Sequence, residues 1–181
     1  YNTLDSIIWM AEGRKYEEVV LMTASLARLL RQSISNEDEV VPLAREVEYA
    51  KGYLTIQKMR YKDKLEFEID VEPSILNIPL IKLVLQPIIE NAIYHGLKYK
   101  ESKGLLQVKG FMKDGNAVLQ VIDNGVGMDE ETLSHIYDKH KVNYHSNGVG
   151  VYNVQKRLKL YYGENYGITL SLIHISEPTR P

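Results

Sequence analysis

At Leu65 the spacing of the apolar residues changes, and that change constrains the fold more than any other feature of the chain. Upstream, strong helix formers fill residues 1–60, with turn signals only near Gly13 and from Ser33 to Asp38. Leu43, Val47, Ala50, Leu54 and Gln57 recur at three- and four-residue steps, and Tyr49, Tyr53, Ile56 and Arg60 form an adjoining face. With Leu26, Leu29, Leu30 and Ile34 on the preceding arm, they predict a helical hairpin, packed on itself or against a second copy. From Leu65 onward, Leu65, Phe67, Ile69 and Val71 alternate with Glu66, Glu68 and Asp70, the pattern of a half-exposed strand that Pro73 ends.

Leu80, Leu83, Val84, Ile88 and Ala92 then predict a helix over residues 79–97, with Pro79 at its start and a bend at Pro87. Leu105 to Met112 and Ala117 to Ile122 form two strands joined by the turn residues Lys113-Asp114-Gly115-Asn116. After Asp123 the pattern gives a glycine loop, a short helix near Glu130 to Tyr137, a polar loop to Asn147, a helix from Val149 to Tyr162 and a strand around Ile168 to Leu172. Helices interleaved with an antiparallel hairpin predict an α+β fold, a two-layer α/β sandwich preceded by the helical hairpin.

Composition narrows the function classes. Of 181 residues, 44% are hydrophobic and 25% charged, which suits a folded domain and excludes low-complexity architectures. Lys and Arg number 22 against 24 Asp and Glu, so no basic field favours nucleic acid. No apolar run reaches the ~18 residues of a membrane helix, so the chain is expected not to be membrane-embedded. The absence of cysteine removes thiol nucleophiles and disulfides.

Three segments carry polar chemistry. In the first, Leu85 to Leu97, Glu90 and Asn91 interrupt an apolar helix, and helical spacing puts Asn91 and His95 on one face with Tyr94 beside them. An asparagine there either caps a neighbouring loop or offers its amide oxygen to a hard cation that bridges phosphates. In the second, Asp123 closes a strand ahead of Gly125 and Gly127, which either form a simple turn or let a flat ring approach the backbone while the carboxylate accepts from an exocyclic amine. In the third, Asn147, Gly148 and Gly150 open a helix whose free N–H groups favour phosphate. Between the last two, Lys139, His140 and Lys141 lie in a polar stretch composed like a lid, either solvated or closing on phosphate oxygens. The five-residue spacing of His135, His140 and His145 does not fit a helical metal site. Neither a P-loop nor a complete dinucleotide fingerprint occurs.

Taken in order, these segments resemble the Bergerat (GHKL) ATP-binding fold shared by histidine kinases, DNA gyrase, Hsp90 and MutL. LQPIIENAIYHGL (85–97), NGVGVYNVQKRLKLYYG (147–163) and GYLTIQKMR (52–60) resemble the LytS/YehU-type sensor histidine kinases in particular. The resemblance implies three regions. Residues 1–62 would be a helical dimerisation and phosphoacceptor region, 63–170 the ATP-binding kinase domain, and 171–181, reading SLIHISEPTRP, a non-native tail.

It also implies roles. Asn91 would ligate Mg²⁺ on ATP, Asp123 would bind the adenine amino group, and Gly125 with Gly127, then Gly148 with Gly150, would form two glycine boxes. Asn147, Lys139, Lys141, Tyr94 and His95 would be nucleotide neighbours, and Glu90 a candidate to polarise an incoming histidine. Hydrolytic relatives place a general-base glutamate four positions before the metal asparagine, where this chain has Pro87. The implied function is therefore phosphoryl transfer to a histidine by the cytoplasmic portion of a bacterial inner-membrane two-component sensor kinase. Its partners would be a second copy of the parent and a response-regulator receiver domain. The alternatives are a hydrolytic ATPase of the same fold and a non-catalytic nucleotide-regulated dimerisation module. Tyr1 to Ile7 resembles the continuation of the phosphoacceptor segment, and residues 1–60 contain no histidine, so the fragment is expected to bind nucleotide without phosphorylating itself.

Overall fold

The computed structural model describes residues 2–34, 39–98, 100–128 and 149–171. It divides into two units, residues 1–126 and 127–181. In the first, helices α1 (Asn2–Glu12), α2 (Tyr16–Ile34) and α3 (Leu43–Tyr61) occupy the stretch read as a helical hairpin. The expected second arm is α3, which packs on α2 with Leu29 lying over Gly52. Of the α2 stripe, Leu29 is buried but Leu30 is exposed, since neighbouring residues on a helix point ~100° apart. Leu4, Ile8 and Trp9 of α1 and Tyr16, Val20 and Leu21 of α2 are also more than half exposed.

The sheet region follows the predicted alternation. Strand β2 (Leu65–Val71) pairs in parallel with β4 (Gly104–Lys113), which pairs antiparallel with β5 (Asn116–Asp123). Asp114 and Gly115 both take positive φ, 50° and 79°, as a two-residue hairpin turn with the strand twist requires. The sheet is therefore mixed, and β4 lies at its centre. Ala50 and Leu54 of α3 share one core with Leu65, Leu106 and Val108 of the sheet and with Leu85, Ile89, Ala92, Ile93 and Leu97. The result is an α+β fold with helices against a sheet.

The predicted helix over 79–97 is corrected at its start. Pro79–Ile81 form a strand, β3, antiparallel to β1 (Val40–Pro42), and helix α4 covers only Leu85–Asn91. A proline suited to a first helical turn also suits a short edge strand, and here the partner strand decides. Pro87 is thus the third residue of α4, where its missing N–H would have had no intrahelical partner, and the reason for expecting a bend disappears. After Asn91 the chain continues as a π-helical segment, Ala92–Leu97.

What starts α4 is a side chain 37 to 39 residues away in sequence. The N-cap, Val84, has no capping side chain, but the buried carboxylate of Glu46 on α3 accepts from the N–H groups of Leu83 (2.7 Å), Val84 (2.8 Å) and Leu85 (3.0 Å). A carboxylate satisfies orphan donors and meets the positive end of the helix dipole together. It also holds Leu83 at φ +62°, a left-handed conformation that costs a branched residue about 1–3 kcal/mol.

In the second unit, helix α5 (Val149–Tyr162) has the bounds read from the sequence, and Gly163 at φ +100° ends it by donating its N–H to the Lys159 carbonyl at 2.9 Å. The strand expected from Ile168 is absent among the described residues up to Ser171. The Ile168 N–H donates to the Gln155 side-chain oxygen, which takes the place of a strand neighbour. The expected helix at 130–137 and the lid lie outside the described residues.

Candidate functional site

The first unit brings the Asn91 helix and the Asp123 turn together at Gly96. Asp123 is the last residue of β5, is exposed, and accepts from the Gly125 N–H through Oδ1 at 2.9 Å. This is an Asx turn, which leaves Oδ2 for another donor. A Cβ built on Gly96 would lie 2.4 Å from that same Oδ1. A Cβ on Gly125 would meet the carbonyl carbon and oxygen of Gly96 at 2.4 Å. The Val126 N–H closes the contact by donating to the Gly96 carbonyl at 3.0 Å. Two glycines thus let two backbones touch, and neither position has room for a side chain.

Asn124 fixes the other side of the turn. Its N–H donates to the Leu105 carbonyl at 3.2 Å, its Oδ1 accepts from the Leu105 N–H at 2.8 Å, and the Lys100 ammonium donates to its carbonyl. The turn is therefore tied to β4 as well as to the π-helical segment.

On the helix side, Asn91 ends α4, while Tyr94 and His95 lie in the π-helical segment; all three are half-buried. A π-helical segment directly after a predicted ligand residue is where such insertions concentrate in functional sites. Burial, and after it the cation of Lys98, holds the His95 imidazole below its usual range, which favours its neutral form. Glu90 accepts from Gln86 Nε2 at 2.7 Å, which gives the half-buried carboxylate the partner the sequence demanded.

The remaining predicted residues fall elsewhere. Gly127, at φ +74°, and Gly150, the exposed second residue of α5, belong to the second unit. Lys139, Lys141, Asn147 and Gly148, with His135, His140 and His145, lie outside the described residues. Among the described residues no group of three His, Cys, Asp or Glu side chains is placed to hold a metal. Sequence reasoning missed Gly96, Asn124 and Glu46 as determinants of the site. A glycine inside an apolar helix, costly by propensity, was the available signal for the first.

Residues 77–180 match the histidine kinase-, DNA gyrase B- and HSP90-like ATPase family, and residues 1–65 match the histidine kinase family. The chain belongs to the first of these families, whose match covers more than half of it. Similar proteins include the sensor histidine kinase YesM of Bacillus subtilis, 32% identical over 96% of this chain and 29% of YesM. The sensor protein LytS of Oceanobacillus iheyensis is 34% identical over 77% of this chain and 24% of its own length. The sensor histidine kinase YpdA of Escherichia coli is 32% identical over 80% and 25%. The chain spans less than a third of the length of each of these relatives.

Proposed function

We propose that this chain is the ATP-binding part of a two-component sensor histidine kinase and that it positions Mg-ATP for phosphoryl transfer to a histidine. The observation that carries the reading is the meeting of Asp123 and Gly125 with Gly96, on the helical stretch that carries Asn91. An exposed carboxylate with one oxygen engaged and the other without a hydrogen bond among the described residues suits a purine amine, and the adjoining glycine backbones suit a flat ring. Asn91 offers a neutral oxygen of the kind a hard cation accepts, so it would hold Mg²⁺ carried in on the phosphates. The metal would neutralise charge on the transferring group; the protein's part is orientation.

Family membership and the similarity to named sensor histidine kinases support transfer to protein over hydrolysis. Pro87 supports the same choice, because a proline ring cannot activate water. Lys139, Lys141, Asn147, Gly148, Gly150 and Gly127 are proposed phosphate and adenine contacts, and Glu90 a proposed aid to the incoming imidazole. We further propose a helical region over 1–62, a kinase domain over 63–170 and a tail over 171–181. The exposed apolar residues of α1 and α2 support pairing with a second copy, and a response-regulator receiver domain would take the phosphoryl group onward. No helix among the described residues is long and apolar enough to cross a membrane, and we place the region on the cytoplasmic side of a membrane-anchored parent.

Labelled ATP tests the reaction. A longer chain that includes the phosphoacceptor segment should gain acid-labile phosphate, and Asn91→Ala in that chain should lower the rate at least tenfold. ATP hydrolysis without a phosphoprotein would instead identify the hydrolytic relative.

A further inference from the structure

The helix that carries Asn91 is placed by a chain segment far ahead of it, residues 39–46. Helix α4 has seven residues, too few to hold its form by propensity, so its place is set by what it is tied to. Its π-helical continuation is tied to the Asp123 turn, where the Val126 N–H donates to the Gly96 carbonyl. At the other end the ties come from β1 and the start of α3. Strand β1 pairs with β3 from Val40 opposite Ile81 to Pro42 opposite Pro79, and the Lys82 N–H donates to the Glu39 carbonyl at 3.0 Å. The N–H groups of Leu43 and Ala44, at the start of α3, donate to the carbonyls of Ile78 and Leu76, both at 2.9 Å. One turn further along α3, the buried Glu46 carboxylate takes the N–H groups of Leu83, Val84 and Leu85.

These contacts differ in what they fix. The β1–β3 pairing and the bonds to Leu76 and Ile78 hold the chain ahead of the turn, whereas the carboxylate reaches past Lys82 to α4 itself. Ala50 and Leu54 of α3 share a core with Leu85 and Ile89, but apolar contact is non-directional and does not set how far a helix slides or turns. Three hydrogen bonds from consecutive N–H groups to one carboxylate are directional and set both. Asn91, the last residue of α4, lies ~9 Å along the helix from Leu85, so a displacement at the start is carried to its amide by a single short helix. Glu46 belongs to α3, on which α2 packs, so the same carboxylate joins the N-terminal helices to the Asn91 helix.

We propose that Glu46 is a positioning residue for the metal and phosphate end of the nucleotide site: by gripping the start of α4 it sets where the Asn91 amide stands, and a shift of α3 reaches Asn91 through this carboxylate. The proposal rests on the nucleotide-binding reading, and its test separates the two.

The probe is a non-hydrolysable ATP analogue, titrated calorimetrically with Mg²⁺ and again in EDTA, at a temperature where circular dichroism shows every chain folded. Glu46→Gln keeps the length of the side chain and loses one acceptor, and Glu46→Asp keeps the charge but draws it back by one methylene. Each should bind the Mg²⁺ complex about tenfold more weakly than the wild type, and the metal-free analogue less than about twofold more weakly. Asn91→Ala should show the same split, and adding Glu46→Gln to it should cost no further affinity, because one residue acts through the other. Unchanged affinity for the Mg²⁺ complex in both Glu46 variants overturns the proposal. Equal losses with and without metal overturn it as well, since Glu46 would then support the domain as a whole, and a further loss in the double variant overturns the path through Asn91. A wild-type chain that binds the analogue in neither condition overturns the nucleotide-binding reading and the proposal with it, whereas a wild type that binds beside unaffected Glu46 variants overturns the proposal alone.

Discussion

Replacing Glu46 with alanine should lower the free energy of unfolding by about 3–5 kcal/mol, because it strips three N–H groups of their acceptor at once. Val84 and Leu85 are buried, so water cannot replace the carboxylate at their amides without opening the core. The open end of α4 would also lose the negative charge that meets its dipole. Glu46→Gln, with similar shape, keeps an acceptor but turns an NH₂ toward the same donors, and should cost roughly half as much. Urea melts of the two variants and the wild type measure both numbers. A loss below about 1 kcal/mol for Glu46→Ala would mean that α4 starts by its own propensity.

The second large effect concerns Gly125. A Cβ there would stand 2.4 Å from the backbone carbon and oxygen of Gly96, and backbone cannot swing aside as a side-chain tip can. Gly125→Ala must part the two strands of chain, break the bond from Val126 to Gly96 and carry the Asp123 carboxylate away from its place. We expect a stability loss of about 2–3 kcal/mol and nucleotide affinity lowered more than tenfold. Gly96→Ala is the informative contrast. Its Cβ would meet the Asp123 carboxylate, which can rotate, and alanine favours helix over glycine, so stability should fall by less than about 1 kcal/mol. Affinity should still drop about tenfold, because the displaced carboxylate is the group proposed to meet the purine amine. Thermal melts beside calorimetric titrations would separate the two variants, and affinity losses of tenfold or more in both with unequal stability losses are the expected outcome.

How much of this was legible depended on how local its cause is. Strand β2 and the β4–β5 hairpin follow from alternation and from Asp114-Gly115, signals contained within a few residues, and α5 from periodicity ended by Gly163. The start of α4 could not be read. Pro79 looked like the first turn of a helix because its partner strand is only three residues long and begins at Val40. The true start depends on Glu46, which sequence spacing assigns to an ordinary helix face. Ile168 shows the same limit, since a side-chain oxygen from α5 took the place of the expected strand neighbour.

The candidate site was legible as residue types and not as contacts. Asn91, His95, Asp123 and Gly125 stood out as candidates because polar groups in an apolar helix and glycines after a strand-ending acid are unusual. That Gly96 is the point of contact was hidden, because only the approach of Gly125 from 29 positions away gives the missing side chain a purpose. The π-helical segment has no periodic signature of its own within six residues.

The most direct test of the central claim is calorimetric titration of Mg-ATP into the wild-type chain and into Asp123→Asn. In the variant the amide oxygen can keep the Gly125 N–H, so the turn should survive while an NH₂ replaces the free oxygen and faces the purine amine, donor against donor. The account predicts clear binding by the wild type and at least a tenfold loss in Asp123→Asn, with the melting temperature nearly unchanged. Equal affinity in the two chains would remove Asp123 from the site and contradict the reading of the Gly96 contact as a nucleotide cradle.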